Sequence, residues 1–249
     1  MLRASVLTLA LPIAVAAGAP AFAGDIPGNS STTVVLPISA NVTQGRFETA
    51  SDSDWYRVTF KKGVDYTVSG SGAIDCCNAF TINLRDKTGK IVATADDYIG
   101  GADAGFEFRA AYSGLYFVEY KQTTAGPADN GPYGYGARVS TDCRAGTTTK
   151  CSIAVGQTVK GLLAFGYDKD WYRTTLTAGK PYSVATTGAG GTLAYILDAT
   201  GHLVAGGTAA TIKGFTPAKS GTFYVKVSTT EPQPGNGIGT TFTVALTTP

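Results

Sequence analysis

Histidine is almost missing from this chain: among 249 residues only His202 carries an imidazole. A Ser-His-Asp triad would have to be built on that one residue, and no Gly-x-Ser-x-Gly elbow accompanies it. Zinc would need more histidine or free thiol than one His and four Cys supply. Net charge is scarce as well, with 20 basic residues balanced by 18 acidic ones. Near-neutrality argues against nucleic acid or an anionic membrane surface as the main partner. Methionine occurs once, and no stretch after Gly24 carries a clean helical period. Past the first 23 residues, no segment is long and apolar enough to span a bilayer as a helix.

What is present starts with a leader. Met1-Leu2-Arg3 is basic, Ala4 to about Ala17 is apolar, and Ala21-Phe22-Ala23 is a small-x-small cleavage pattern. Residues 1–23 therefore read as a signal peptide, and the mature chain as periplasmic or secreted. Pro12 and the Gly18/Pro20 pair argue against a membrane anchor.

The mature chain is duplicated. Asp52-Ser-Asp54-Trp55-Tyr56-Arg57 returns as Asp168-Lys-Asp170-Trp171-Tyr172-Arg173, and these hold the only two tryptophans. Gly45 and Gly161 each stand nine residues before the second Asp. Downstream, Gly63-x-x-Tyr66 matches Gly179-x-x-Tyr182, Asp86-x-x-Gly89 matches Asp198-x-x-Gly201, and Ser113-Gly114 matches Ser220-Gly221. A repeat of this length is a duplicated domain, since solenoid units are shorter. The expected division is an N-terminal segment at 24–31, domains at 32–143 and 151–249, and a linker at 144–150.

Each copy alternates with a period of two. Tyr56, Val58 and Phe60 share a face, as do Tyr116, Val118 and Tyr120; Tyr172, Thr174 and Leu176, then Phe223, Val225 and Val227, are their partners. One apolar face per strand means half-buried strands. The Asp-x-x-Gly stretches read as hairpin turns, in which Asp bonds the turn amides and Gly takes the positive φ. The fold class is all-β, two tandem antiparallel β-sandwiches of jelly-roll type.

The order Gly, Asp-x-Asp-Trp-Tyr-Arg, Gly-x-x-Tyr, Asp-x-x-Gly, Ser-Gly-x-aromatic resembles the bacterial pre-peptidase C-terminal domain, once in each copy. The resemblance implies a compact β-sandwich, similar to collagen- and carbohydrate-binding modules, that accompanies secreted peptidases without being catalytic. Here two copies fill the mature chain and leave no room for a peptidase.

Four groups of residues carry the chemical expectations. Asp96, Asp97 and Asp103, with Gly100 and Gly101 between them, form an acidic loop that calcium could occupy. Paired Asp is frequent here in domains of the resembled family, and related collagen-binding modules bind calcium. A solvated turn is the competing reading, favoured because the spacing is not that of an EF-hand. The Asp-x-Asp pairs read as a cation site or, preferably, as turn caps in which the second Asp fixes the strand start. Trp55 with Arg57, and Trp171 with Arg173, point away from the core if Tyr56 and Tyr172 point in. They are candidate platforms for a sugar ring or an extracellular peptide, although such a Trp is more often covered. Cys76, Cys77, Cys143 and Cys151 allow three pairings, and stapling the 76–77 insertion to the linker is preferred over a vicinal bridge.

The sequence thus reads as an exported, non-catalytic binding protein for an extracellular polysaccharide or protein. A structural envelope protein, an accessory partner of a secreted peptidase, and a carboxylate-dependent hydrolase are the alternatives.

Overall fold

The structure is a computed structural model that describes residues 24–49, 51–72, 80–96, 104–123, 133–188, 191–229 and 239–249. These residues form sixteen strands and no helix. In the first half, β1 (Thr43–Phe47), β8 (Tyr133–Thr141), β3 (Asp65–Gly72) and β6 (Ala104–Arg109) lie side by side in that order. The other sheet runs β2 (Ser53–Phe60), β7 (Gly114–Gln122), β4 (Phe80–Arg85) and β5 (Ile91–Asp96). The second half repeats this with β9 (Gln157–Leu163), β16 (Thr240–Thr247), β11 (Tyr182–Gly188) and β14 (Thr211–Phe215) in one sheet. Its other sheet holds β10 (Asp170–Leu176), β15 (Gly221–Thr229), β12 (Thr192–Leu197) and β13 (Leu203–Gly206). Every ladder between named strands is antiparallel. Adding eight to a strand number converts one half into the other, and the shared order is that of a jelly roll.

Each half buries its own core. Tyr56, Val58 and Phe60 of β2 meet Tyr116, Val118 and Tyr120 of β7 in the first; Tyr172 and Leu176 meet Val225 and Val227 in the second. The hairpins form as their residues dictate. Asp86 Oδ1 accepts from the amides of Thr88 (2.8 Å) and Lys90 (3.1 Å), and Gly89 sits at φ 87°, where a side chain would be strained. Asp198 and Gly201 repeat that turn.

A strap precedes each motif strand. Leu36 N donates to Arg57 O (2.9 Å) and Arg57 N to Val34 O (2.8 Å); Ile153 N donates to Arg173 O (3.0 Å) and Arg173 N to Cys151 O (2.9 Å). The hydroxyls of Thr32 and Thr149 accept from Val34 N and Cys151 N at the same 3.2 Å. The stretch 144–150, which the sequence reads as a linker, is therefore the second sandwich's strap. The same offset pairs Asp25 with Asp142.

This strap also corrects the cysteine expectation. Cys143 and Cys151 are bonded to each other, with Cα atoms 5.4 Å apart. The strap turns through Gly146, whose carbonyl accepts from Thr149 N at 3.1 Å, and the turn brings its two ends together. Neither cysteine is left to staple Cys76 or Cys77, which lie outside the described residues.

Candidate cation site at the strand entrance

The two aspartates of the motif have different tasks. Asp52 accepts from Glu48 N (2.8 Å) and Ser53 N (2.7 Å); Asp168 accepts from Ala164 N (2.6 Å) and Lys169 N (2.8 Å). The turn cap is thus the first Asp, and the assignment of that role to the second is corrected. The residue before each cap, Ser51 or Tyr167, takes a positive φ of 68° or 87°. Asp54 instead enters the core and is fully buried. The Tyr135 hydroxyl donates to Asp54 Oδ2 at 2.5 Å and lies 2.8 Å from the Tyr56 hydroxyl.

Gly45 makes this reach possible. A Cβ there would stand 2.2 Å from the Tyr135 ring, closer than any packed atom can approach. At Gly161 a Cβ would stand 2.3 Å from the ring of Phe242. Phe242 therefore fills Tyr135's place without a hydroxyl, and the Tyr172 hydroxyl is left buried with no partner.

Three carboxylates converge on that of Asp54. Asp25 comes from the strap, Glu48 from the end of β1, and Asp52 and Asp54 from the entrance to β2; one oxygen of each lies within 4.8 Å of the others. Burial pushes the Asp54 carboxyl up to about 7, against the Tyr135 hydrogen bond and with help from the charges of Asp52, Glu48 and Asp25. Burial likewise raises Glu48, and its contacts with Asp52 add to the rise. Asp54 Oδ1 and Glu48 Oε2 are buried without any donor. Acidic oxygens gathered this way must either hold protons or meet a cation. An all-oxygen set containing both buried and exposed carboxylates suits a hard ion such as calcium. The second copy has Ala164 where Glu48 stands, so it lacks the fourth carboxylate.

The other expected residues lie elsewhere. Asp96 ends β5, where its Oδ1 accepts from the Thr81 hydroxyl at 2.7 Å; Asp97 and Asp103 lie outside the described residues. Trp55 and Trp171 do face away from the core, but both are half-buried. The Arg85 guanidinium lies over the Trp55 ring at 4.7 Å, and Phe117 leans on it at 5.7 Å. Trp171 packs with Tyr224 at 5.6 Å and borders Gly201 and Thr147. Arg57 and Arg173 are exposed beside them. His202 is exposed in its hairpin, with Nδ1 2.8 Å from the Thr200 hydroxyl. Among the described residues the aromatic most open to solvent is Tyr167, 72% exposed at the strained turn position.

Sequence reasoning missed Asp25, Glu48, Tyr135 and Asp142. The repeat of Asp25 at Asp142, carried by the matching Thr32 and Thr149, was the available signal. Glu48 and Tyr135 are replaced in the second copy, so duplication could not reveal them.

No family model matches the chain, and no curated protein matches it. Solved structures resemble it at low identity. Tripeptidyl peptidase 2 aligns at TM-score 0.30 and 7% identity over 84% of this chain, which spans only 23% of that one. A Eubacterium rectale protein thought to be secreted aligns at TM-score 0.31 and 10% identity, over 89% of this chain and 80% of its own. The CUB1-EGF-CUB2 region of human MASP-1/3 aligns at 0.22 and 8%, over 82% and 99%. At these scores none of them bears on function.

Proposed function

We propose that this chain is an exported, non-catalytic binding protein made of two modules like the pre-peptidase C-terminal domain, the first of which is set by a calcium-type cation. The carrying observation is the convergence of Asp25, Glu48, Asp52 and Asp54, with two buried carboxylate oxygens that lack donors. A cation there would tie the strap to the Asp-x-Asp entrance and cancel the repulsion among the four. The Cys143–Cys151 bridge supports export, because disulfides persist in oxidising compartments. An extracellular protein or polysaccharide is the partner class, and a secreted peptidase is the accessory alternative. Half-covered tryptophans favour recognition through loops such as the one carrying Tyr167 over recognition through a flat aromatic platform.

Calorimetric titration of calcium into chelator-treated full-length protein tests the reading. One site is expected in the wild type and none in Asp25→Asn/Glu48→Gln. Failure of the wild type to bind, or unchanged binding by the double variant, would remove the cation from this cluster.

A further inference from the structure

The second copy's acidic residues lie where the two sandwiches meet. Asp142 N donates to Asp65 O at 3.1 Å, and Arg109, paired to Asp65 at 2.6 Å, also donates to Thr148 O at 2.9 Å. Glu107 of β6 accepts from Ala145 N at 3.1 Å and pairs with Arg144 at 3.5 Å. Arg138 of β8 donates to the Ala164 carbonyl. The strap of the second sandwich is thus held by β3 and β6 of the first, and the turn between β9 and β10 by β8.

Asp142 sits within this junction, and both its carboxylate oxygens are buried without a conventional donor. Its carboxyl faces that of Asp170, with which it lines one cavity, and the nearby Thr67 hydroxyl of β3 is likewise buried without a partner. Asp170 is almost fully buried, and its Oδ1 accepts from Cys143 N at 3.2 Å. Two carboxyl groups hydrogen-bond to each other only when one carries a proton. In the first copy the Tyr135 hydroxyl donates to the matching Asp54; here Phe242 offers nothing, so a proton must serve.

We propose that Asp142 and Asp170 share one proton, and that this acid–carboxylate bridge fastens the second strap against the first sandwich, so that losing the proton loosens the junction. The surrounding charges favour retention of the proton. Glu107 from β6 and Asp168 from the turn before β10 repel a second negative charge, while Tyr172 of β10 contributes a neutral phenol. Two of the nearby cations are engaged elsewhere, Arg144 with Glu107 and Arg109 with Asp65, while Lys160 lines the same cavity as the two aspartates. Burial raises Asp142 to about 7 and Asp168 to about 8, and raises Asp170 strongly.

The sign follows from linkage. A carboxyl raised on folding contributes stability that is complete below its unfolded value of about 4 and is lost as pH climbs through the folded value. The test uses full-length protein in chelator, from about pH 5 to about pH 9, with carboxyl carbon NMR and small-angle scattering. In the wild type, Asp142 and Asp170 should give carboxyl signals that titrate well above the ordinary carboxylate range, and the radius of gyration should grow across the same range. Asp142→Asn carries a permanent neutral donor and should keep a constant radius and a flatter melting profile. The first-half carboxyls are untouched in this variant, so the difference isolates the junction. If both carbons titrate near an ordinary value of about 4, or if the wild-type radius is constant, the proposal fails even should the variant not fold.

Discussion

A single hydroxyl separates the two buried motif centres. Tyr135 donates to Asp54 and bonds Tyr56, while Phe242 leaves Tyr172 without a partner. Tyr135→Phe should lower stability by about 1–3 kcal/mol, the range for orphaning a buried polar group. Phe242→Tyr should raise it by about 0.5–1.5 kcal/mol, the net worth of a hydrogen bond, because the hydroxyl would lie between Tyr172 and Asp170. Urea denaturation of both variants checks the pair; equal and small effects would mean that the hydroxyl is immaterial. Gly45→Ala should be worse than a typical surface change, since the new methyl would overlap the Tyr135 ring, and a melting temperature within error of wild type would contradict the packing. At this scale the sequence was half legible. It placed Gly45 and Gly161 at fixed distances from the motif, yet the partner rings arrive from β8 and β16, far along the chain.

At the scale of elements, alternation served well because one apolar face per strand is what a sandwich demands. Tyr56, Val58 and Phe60 are buried as their period predicts, and so are Tyr172, Thr174 and Leu176. The Asp-x-x-Gly hairpins were equally readable, since the side chain and the φ requirement are local. The straps were not readable, because they pair through two or three backbone bonds and have no apolar rhythm. Their polar composition made 144–150 look like a linker. That misreading favoured the wrong cysteine pairing as well. Non-reduced peptide mapping should recover Cys143 linked to Cys151 in one fragment, and a fragment joining either to Cys76 or Cys77 would contradict the structure. Replacing both Cys143 and Cys151 with Ser should cost about 2–3 kcal/mol, the chain-entropy value for so short a loop.

Across the whole molecule, duplication preserved the jelly roll and let the two motif entrances diverge. Glu48 and Tyr135 in the first copy stand where the second has Ala164 and Phe242, and the same Asp-x-Asp framework has different needs. One entrance gathers four carboxylates that run from the exposed Asp25 to the buried Asp54, suited to a cation; the other hides its carboxyls in the junction, suited to a proton. The sequence-based expectation of calcium at Asp96, Asp97 and Asp103 rested on local acidity. The observed cluster is assembled from a strap, a strand end and a strand start. If a cation stabilises the first sandwich, calcium at 100 times its dissociation constant should add about 2.7 kcal/mol to the full chain. The most direct measurement is a crystal structure grown in calcium, with anomalous scattering to locate the ion. The account predicts one peak about 2.3–2.6 Å from oxygens of Asp25, Glu48, Asp52 and Asp54, and none between Asp142 and Asp170. An empty cluster at saturating calcium, or an ion bound instead at the loop beginning with Asp96, would contradict it.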